Sequence, residues 1–334
     1  MIRRKKMVVK NYSRRYERLR KRLIYIIGLS ILLIGVIYQR VGTYRQADQL
    51  GRVGSLIEVN GVNMHLYTNG TGDLPVVFTS DIGQTMPYVD TYNLHSALSE
   101  STAVAVYDKP GYGWSDYTSA SRDIDTIVNE IHTLIDQSDL PKPFIYVAHA
   151  MGSFEALRYA QLYPEDVAGI VLIDGFSPSF GADFNNIMIV ESLMLNGARN
   201  VGLLRLAQNT DYVSSLLCSN RDLPDHLKLL STGISLEKLW NRNIIAEKLK
   251  VPENAQTILD AGDIGDIPLR IITSEASPYS NWPKSQRSMY ALSTDVSQSY
   301  ISGSVDYIEN KDVPAILSVI NELMTSIREN QENY

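Results

Sequence analysis

Short apolar runs alternate with segments of helical periodicity through the middle of this chain. Residues 102–107, 144–147 and 169–173 are rich in the β-branched and aromatic side chains that favour strands. Within 124–135, apolar residues recur every three or four positions, as they do on one face of a helix. Strands that alternate with helices form right-handed βαβ units. The sequence therefore predicts the α/β class, with a mainly parallel sheet and helices on both faces.

Further strands flank this region, and a long helical segment interrupts it. The dipeptide Asn60-Gly61 predicts a hairpin. Residues 176–264 show several helical stretches without a clear strand, so we predict a helical lid insertion there. Such a lid would cover the carboxyl ends of the strands, where open α/β sheets bind ligands. The other predicted strands are 55–59, 62–67, 75–79, 268–273 and 298–301, and a closing helix is predicted over 314–327.

Charge is distributed very unevenly along the chain. Residues 1–22 hold eleven Lys or Arg and the single acid Glu17, whereas the whole chain has a formal net charge of -6. The body is therefore strongly acidic, which argues against nucleic acid as its partner. The basic tail must have another neighbour.

That neighbour is predicted to be a membrane, through the uncharged run at 23–38. Its sixteen residues fall a little short of the ~20 that usually span a bilayer, but flanking tyrosines and basic residues extend it. A cleaved signal peptide is the alternative, yet no small-x-small cleavage site follows the run, and a buried soluble helix is a third reading. We predict an uncleaved signal anchor in the cell membrane, with the N-terminus cytoplasmic and the C-terminal domain extracytoplasmic.

The predicted organisation follows from this anchor. The segments are a basic tail at 1–22, the transmembrane anchor at 23–38, a polar linker at 39–54 and one α/β domain at 55–327. Cys218 is the only cysteine, so an intramolecular disulfide is excluded and packing is its expected role. The sequence has no metal-ligand cluster, phosphate-binding glycine loop or dinucleotide fingerprint, so no cofactor and no metal are predicted.

The turn after the 144–147 strand has the setting of a nucleophile elbow. The pattern Gly-x-Ser-x-Gly between a strand and a helix presents a catalytic serine, and residues 148–152 read AHAMG. Small residues remain on both sides, so the sharp turn can form. The serine position is Ala150, whose methyl group cannot attack a carbonyl.

Two longer stretches carry a family resemblance. Residues 107–116 read YDKPGYGWSD, and 159–174 read YAQLYPEDVAGIVLID. Together with the elbow they make residues 51–325 resemble the α/β-hydrolase superfamily, in the branch that carries YDRxGYGWSD. The resemblance implies a serine nucleophile, a histidine base and an acid, with His149, Tyr112 and Trp114 beside the pocket.

The resemblance also places the base after the last strand and the acid before it. No histidine follows residue 226, and Asp306 stands where the base is expected. The acid falls on Glu275 or Asp174, although both could equally be loop carboxylates or helix caps. An aspartate accepts a proton only weakly at neutral pH unless its pKa is strongly raised. The five histidines are His65, His95, His132, His149 and His226.

The oxyanion turn is unusual as well. In the family it is glycine-rich, whereas this chain has Ser80-Asp81-Ile82-Gly83 after the third strand. Asp81, Ile82 and Met151 fall at the oxyanion position, where a carboxylate would repel the charge that the site should stabilise. The alternative is that Asp81 faces solvent or caps the next helix.

Three functions remain open from the sequence. The first is a membrane-anchored pseudohydrolase that binds a small apolar or acyl ligand under the lid, or a protein partner. The second is an active ester or acyl hydrolase with non-standard residues, for which Ser153 and His226 are the candidates. The third assigns the function to the basic tail, bound to anionic lipid or to a cytoplasmic partner.

Overall fold

The computed structural model describes residues 2–47, 51–184, 189–220, 222–277, 279, 281–302 and 311–332. Within them, eight strands form one sheet in the order β1-β2-β4-β3-β5-β6-β7-β8. The pairs β1–β2 and β2–β4 are antiparallel, and the other pairs are parallel. The predicted α/β class and all eight predicted strands are confirmed. The strands are β1 Ser55–Val59, β2 Val62–Asn69, β3 Val76–Thr79, β4 Val104–Asp108, β5 Phe144–His149, β6 Val167–Ile173, β7 Leu269–Ser274 and β8 Val296–Ile301.

Helices cover both faces of this sheet. Neighbouring residues of β5 show this, because Tyr146 packs in one apolar cluster and Val147 in the other. The first cluster includes α4, α5 and α12, and the second includes α3 and α14. The helices are α1 Ile2–Ala47, α2 Pro87–Asp90, α3 Tyr92–Leu98, α4 Ile124–Asp136, α5 Ser153–Leu162, α6 Pro178–Ala182, α7 Ile189–Asn200, α8 Leu203–Ala207, α9 Asp211–Leu217, α10 Asp225–Lys238, α11 Arg242–Leu249, α12 Val251–Ala261, α13 Trp282–Ser288 and α14 Val313–Glu332.

The segment between β6 and β7 is helical, as the sequence predicts. It contains α6 to α12, and α12 packs against α5 of the main body. At its other side, Trp240 covers the loop after β3. A Cβ on Gly83 would lie only 2.7 Å from the ring of Trp240, and Gly83 has a φ of +98°, so only glycine fits there. We call α6 to α12 the insertion.

The predicted linker at 39–54 is wrong over its first half, because α1 continues without a break to Ala47. The polar side chains that suggested a linker instead contact the insertion. Gln39 donates to the carbonyl of Leu236 at 2.5 Å, and Arg205 donates to Gln39 at 3.0 Å and to Gln46 at 2.7 Å. These contacts join positions far apart in the chain, so local sequence pattern cannot reveal them.

The N-terminal part of α1 has a different environment. Residues 16–34 are exposed on every side. Among the described residues, the segment Tyr16–Gln46 is the one helix long and apolar enough to cross a membrane. The predicted span at 23–38 lies within it.

Candidate active site at the turn after β5

The backbone of the elbow is present with alanine at its tip. Ala150 has a φ of +47°, in the left-handed region that costs an L-residue roughly 1–2 kcal/mol. Its carbonyl accepts the N–H of Phe176 at 3.1 Å. A Cβ on Gly152 would lie 2.9 Å from the Thr79 methyl, so the turn requires glycine at that position. The strained conformation that would present a nucleophile is therefore retained around a methyl group.

The carboxylate of Asp81 occupies the place where an oxyanion would bind. Its Oδ1 accepts the backbone N–H of Ile82 at 2.8 Å and that of Met151 at 3.0 Å. In this fold the oxyanion hole consists of the N–H after the nucleophile and one from the loop after β3. Met151 and Ile82 hold these two positions, so both donors are already bound to a side chain of the protein. The alternatives of a solvent-facing or helix-capping Asp81 do not describe this geometry.

The backbone of Asp81 is also held in place, by a separate hydrogen bond. Gln84 accepts the backbone N–H of Asp81 at 3.1 Å, and the ring of His149 lies 3.4 Å from the same Gln84 oxygen. Burial raises the pKa of Asp81 to about 6, against the opposing effect of its two backbone hydrogen bonds and of Lys109. Protonated or ionised, an oxygen of Asp81 fills the site.

The turn is also closed to solvent. Ala150 is 2% exposed, His149 3% and Met151 8%. Trp240 of the insertion packs on Gly83, in the same loop after β3 that supplies Asp81 and Ile82. A substrate carbonyl could reach Ala150 only after these groups moved.

The two candidate acids have different environments. Asp174 is buried at the end of β6, where its Oδ1 accepts the N–H of Ser274 at 2.9 Å and the indole N–H of Trp282 at 2.8 Å. Burial raises its pKa to about 6. Glu275 is exposed, and its backbone N–H bonds the carbonyl of Ile301. Asp306, the predicted substitute for the base, lies outside the described residues.

The two candidate substitute residues, Ser153 and His226, have different environments. The Ser153 hydroxyl donates to the carbonyl of Phe176 at 2.7 Å, so it points toward the backbone of the loop after β6. His226 is exposed on α10. The other histidines outside the elbow bond Asp108 (His65), the carbonyl of Tyr88 (His95), and Asp136 and Asp166 (His132).

A buried ionic network lies beside the elbow, and sequence reasoning missed it. Lys109 contacts both Glu155 of α5 and Glu247 of α11, and all three side chains are at most 3% exposed. Burial raises the pKa of Glu155, against the opposing effect of the Lys109 ammonium group. Tyr107 and Thr79 also donate to Glu155. The signal was Lys109 inside the YDKPGYGWSD run, but nothing local links it to residue 247.

The two aromatic residues predicted to lie beside the pocket, Tyr112 and Trp114, contact different parts of the fold. The Tyr112 hydroxyl is buried and donates to Glu247 at 2.9 Å. Trp114 packs on His65, with the ring centroids 4.7 Å apart. Trp114 also lines a cavity of about 440 Å³ between the end of α1 and the insertion.

One group among the described residues has the donor atoms for a metal ion. His132, Asp136 and Asp166 place a ligand atom each within 4.8 Å of one another. However, the Lys142 ammonium group contacts both carboxylates, at 2.7 Å from Asp166. A lysine therefore already supplies the positive charge that these carboxylates require.

Comparison with known proteins agrees with this geometry. The family model described as alpha/beta hydrolase fold matches residues 87–253. An uncharacterized protein of Bacillus subtilis, YbdG, is 24% identical over 273 residues, which cover 80% of this chain and 82% of that protein. A pimeloyl-[acyl-carrier protein] methyl ester esterase of Shewanella woodyi is 36% identical over only 27% of this chain and 31% of its own.

Solved structures extend the similarity of fold over the main body. Epoxide hydrolase A from Mycobacterium thermoresistibile superposes with a TM-score of 0.62 at 17% identity, covering 81% of this chain and 97% of that one. The enol-lactonase from Burkholderia xenovorans gives 0.59 at 14% identity, covering 81% and 100%. At such identities the likeness concerns the fold alone.

Proposed function

This chain belongs to the alpha/beta hydrolase fold family, and on that premise we propose that it is a membrane-anchored pseudohydrolase, which uses the fold for binding rather than for hydrolysis. A similar fold hosts many functions, so the proposal depends on the site. The observation that carries it is the bond of Asp81 to both Ile82 N–H and Met151 N–H.

The electrostatics of that bond oppose acyl transfer. A serine hydrolase stabilises a developing negative charge with two free N–H groups, and loss of one such donor lowers kcat by roughly 10²–10³. Here both donors are bound to a group that is itself negative above its pKa of about 6. Ala150 supplies no nucleophile, and the chain has no histidine after residue 226. Three parts of the mechanism are therefore absent or blocked.

The proposed location is the cell membrane. The apolar helix within 16–46 is the proposed anchor, and the basic residues of 1–22 favour a cytoplasmic N-terminus. The rest of the chain then lies outside the membrane on the opposite side. The contacts of Gln39 with Leu236 and Arg205 hold the folded body directly against the end of that helix.

The proposed binding partner is a small apolar or acyl ligand under the insertion, or a protein. Trp240 of the insertion packs on Gly83 in the loop beside the elbow, so a ligand between the insertion and the elbow would be enclosed rather than held at an open surface. Native mass spectrometry of the full chain released from detergent would identify a ligand that copurifies. A protein partner would instead be retained as a complex.

The proposal is tested by the catalytic competence of the natural protein. The full chain in detergent is treated with a fluorophosphonate probe and assayed with a p-nitrophenyl ester, beside a heat-denatured sample. We expect labelling and turnover equal to the denatured control. Labelling or turnover above it would show an active hydrolase with non-standard residues and would overturn the pseudohydrolase proposal.

A further inference from the structure

Two short helices of the insertion expose an apolar surface next to α1. On α7 and α8, five large apolar side chains are between 52% and 74% exposed. We call this group the α7–α8 surface; its members are Val190, Leu193, Met194, Leu203 and Leu206. Single exposed apolar residues are common, but these five lie on two helices that contact each other, and such a group usually marks an interaction site.

The surface has little charge. Between residues 189 and 208, the charged side chains are Glu191, Arg199 and Arg205. Arg199 and Arg205 are each 6% exposed, which leaves Glu191 as the exposed charge of this stretch. A helix pair that faces water would ordinarily expose more charged side chains.

Contacts with α1 fix the level of this surface along the proposed membrane axis. The backbone of Gly35 lies so close to Val201 that a Cβ on Gly35 would overlap the Val201 carbonyl oxygen. Gly202, with a φ of +74°, packs equally closely on Gly35 and Tyr38. The turn between α7 and α8 therefore touches the last turn of the apolar run at 23–38.

The contact with Gly35 places the turn between α7 and α8 at the depth of a helix that lies in the membrane interface. Gly35 lies three residues before the end of the run, about 5 Å at 1.5 Å per residue. Helices that lie in a membrane interface bury their apolar faces by about 5–10 Å. A turn fixed at the level of Gly35 thus brings Leu203 to the boundary between headgroups and acyl chains.

Basic side chains lie beside α1 just after the apolar run, at the level proposed for the lipid headgroups. Val36, Arg40 and Arg242 line one cavity of about 670 Å³ beside α1, where Glu237 is the one acidic lining residue. Apolar groups followed within one turn by basic groups match the order of acyl chains and phosphates. The continuity of the surface with α1 favours lipid over a protein as its occupant.

We propose that the α7–α8 surface inserts into the extracytoplasmic leaflet, so that the insertion touches the membrane directly. This inference rests on the proposed membrane anchor. The insertion also contacts the loop beside the elbow through Trp240, so it would link the lipid phase to that loop.

The test measures membrane depth in the full chain. In a Cys218→Ser background, single cysteines M194C and L203C carry an environment-sensitive fluorophore, and the protein is reconstituted in vesicles with brominated lipids.

I31C, in the middle of the proposed span, is the positive control. Y300C, on strand β8 and 61% exposed, is the negative control. L193C and L206C repeat the measurement should a first variant fold poorly.

Each outcome decides a different point. We expect quenching at residues 194 and 203 at least about twofold above that at 300, as for groups a few ångströms below the headgroups. If residue 31 is strongly quenched but residues 194 and 203 are quenched no more than residue 300, the inference is overturned and the anchor stays in place. No quenching at 31 would refute the anchor, and the inference with it.

Discussion

Oδ1 of Asp81 accepts the backbone N–H of Met151 at 3.0 Å, at the point where a serine hydrolase of this fold binds its oxyanion. The protein thus places its own carboxyl group at that point. This bond explains how a half-buried carboxylate is tolerated beside the elbow, because two N–H groups and the nearby Lys109 partly offset its desolvation. It also means that restoring the nucleophile alone should not restore activity.

The first prediction separates nucleophile from oxyanion hole. Ala150→Ser alone should stay inactive toward p-nitrophenyl acetate, because Asp81 still blocks both donors. Adding Asp81→Gly vacates the hole while the histidine base stays absent. The rate should therefore remain far below that of a complete serine hydrolase but rise at least about tenfold over the single variant, since each donor contributes roughly 10²–10³ where it works fully. Asp81→Asn, which keeps an acceptor oxygen in place, is the matched control. Equal rates for the two double variants would refute the blocking role of Asp81.

The second prediction concerns the buried network. Lys109→Met leaves Glu155 and Glu247 buried without a cation, which should lower the free energy of unfolding by about 3–5 kcal/mol. Lys250→Met removes a lysine from an exposed pair with Glu253 and should cost less than about 1 kcal/mol. Urea unfolding of the full chain in detergent, followed by tryptophan fluorescence, measures both. A similar loss for both variants would contradict a special role of the network.

The third prediction tests the docking of α1 on the insertion. Gly35→Leu forces a side chain into the Val201 backbone and should lower the free energy of unfolding by about 1–3 kcal/mol, as overpacking does. Gly28→Leu adds the same side chain where a Cβ would meet nothing within 4 Å. Both changes make α1 more apolar, so membrane recovery should be unchanged in both. Equal melting temperatures for the two variants would show that α1 and the insertion are not held together at Gly35.

The fourth prediction concerns pH. Asp174 has a pKa raised by burial from 3.8 to about 6, so the folded protein binds its proton more tightly than the unfolded chain does. The tighter proton binding by Asp174 stabilises the folded state fully below pH 4. This contribution to the free energy of unfolding, up to about 3 kcal/mol, is lost as the pH rises through 6. Asp174→Asn should therefore flatten this decline in the free energy of unfolding between pH 4 and pH 6. Unfolding curves of the natural chain and the variant across that range provide the measurement, and parallel slopes would contradict it.

Much of the fold could be predicted from the sequence because strands and helices leave local periodicities. The weak strand at 298–301 was found in this way, and it is β8. The extent of α1 was not, because Gln39, Thr43 and Gln46 look like linker residues until their partner Arg205 is known. Polar residues at a helix end are recognised as interface residues only once the element that packs against them is known.

The sequence by itself determined the fold class, the position of the elbow and the loss of its serine, since these depend on residue identity and on spacing within a few turns. Only the tertiary structure decided which N–H groups the Asp81 carboxylate accepts, which carboxylates Lys109 joins and which part of the insertion contacts α1. The decisive contacts connect positions 70, 138 and 166 residues apart: Asp81 with Met151, Lys109 with Glu247, and Gln39 with Arg205. Periodicity constrains neighbours along the chain, whereas the choice among distant partners depends on the path of the folded backbone.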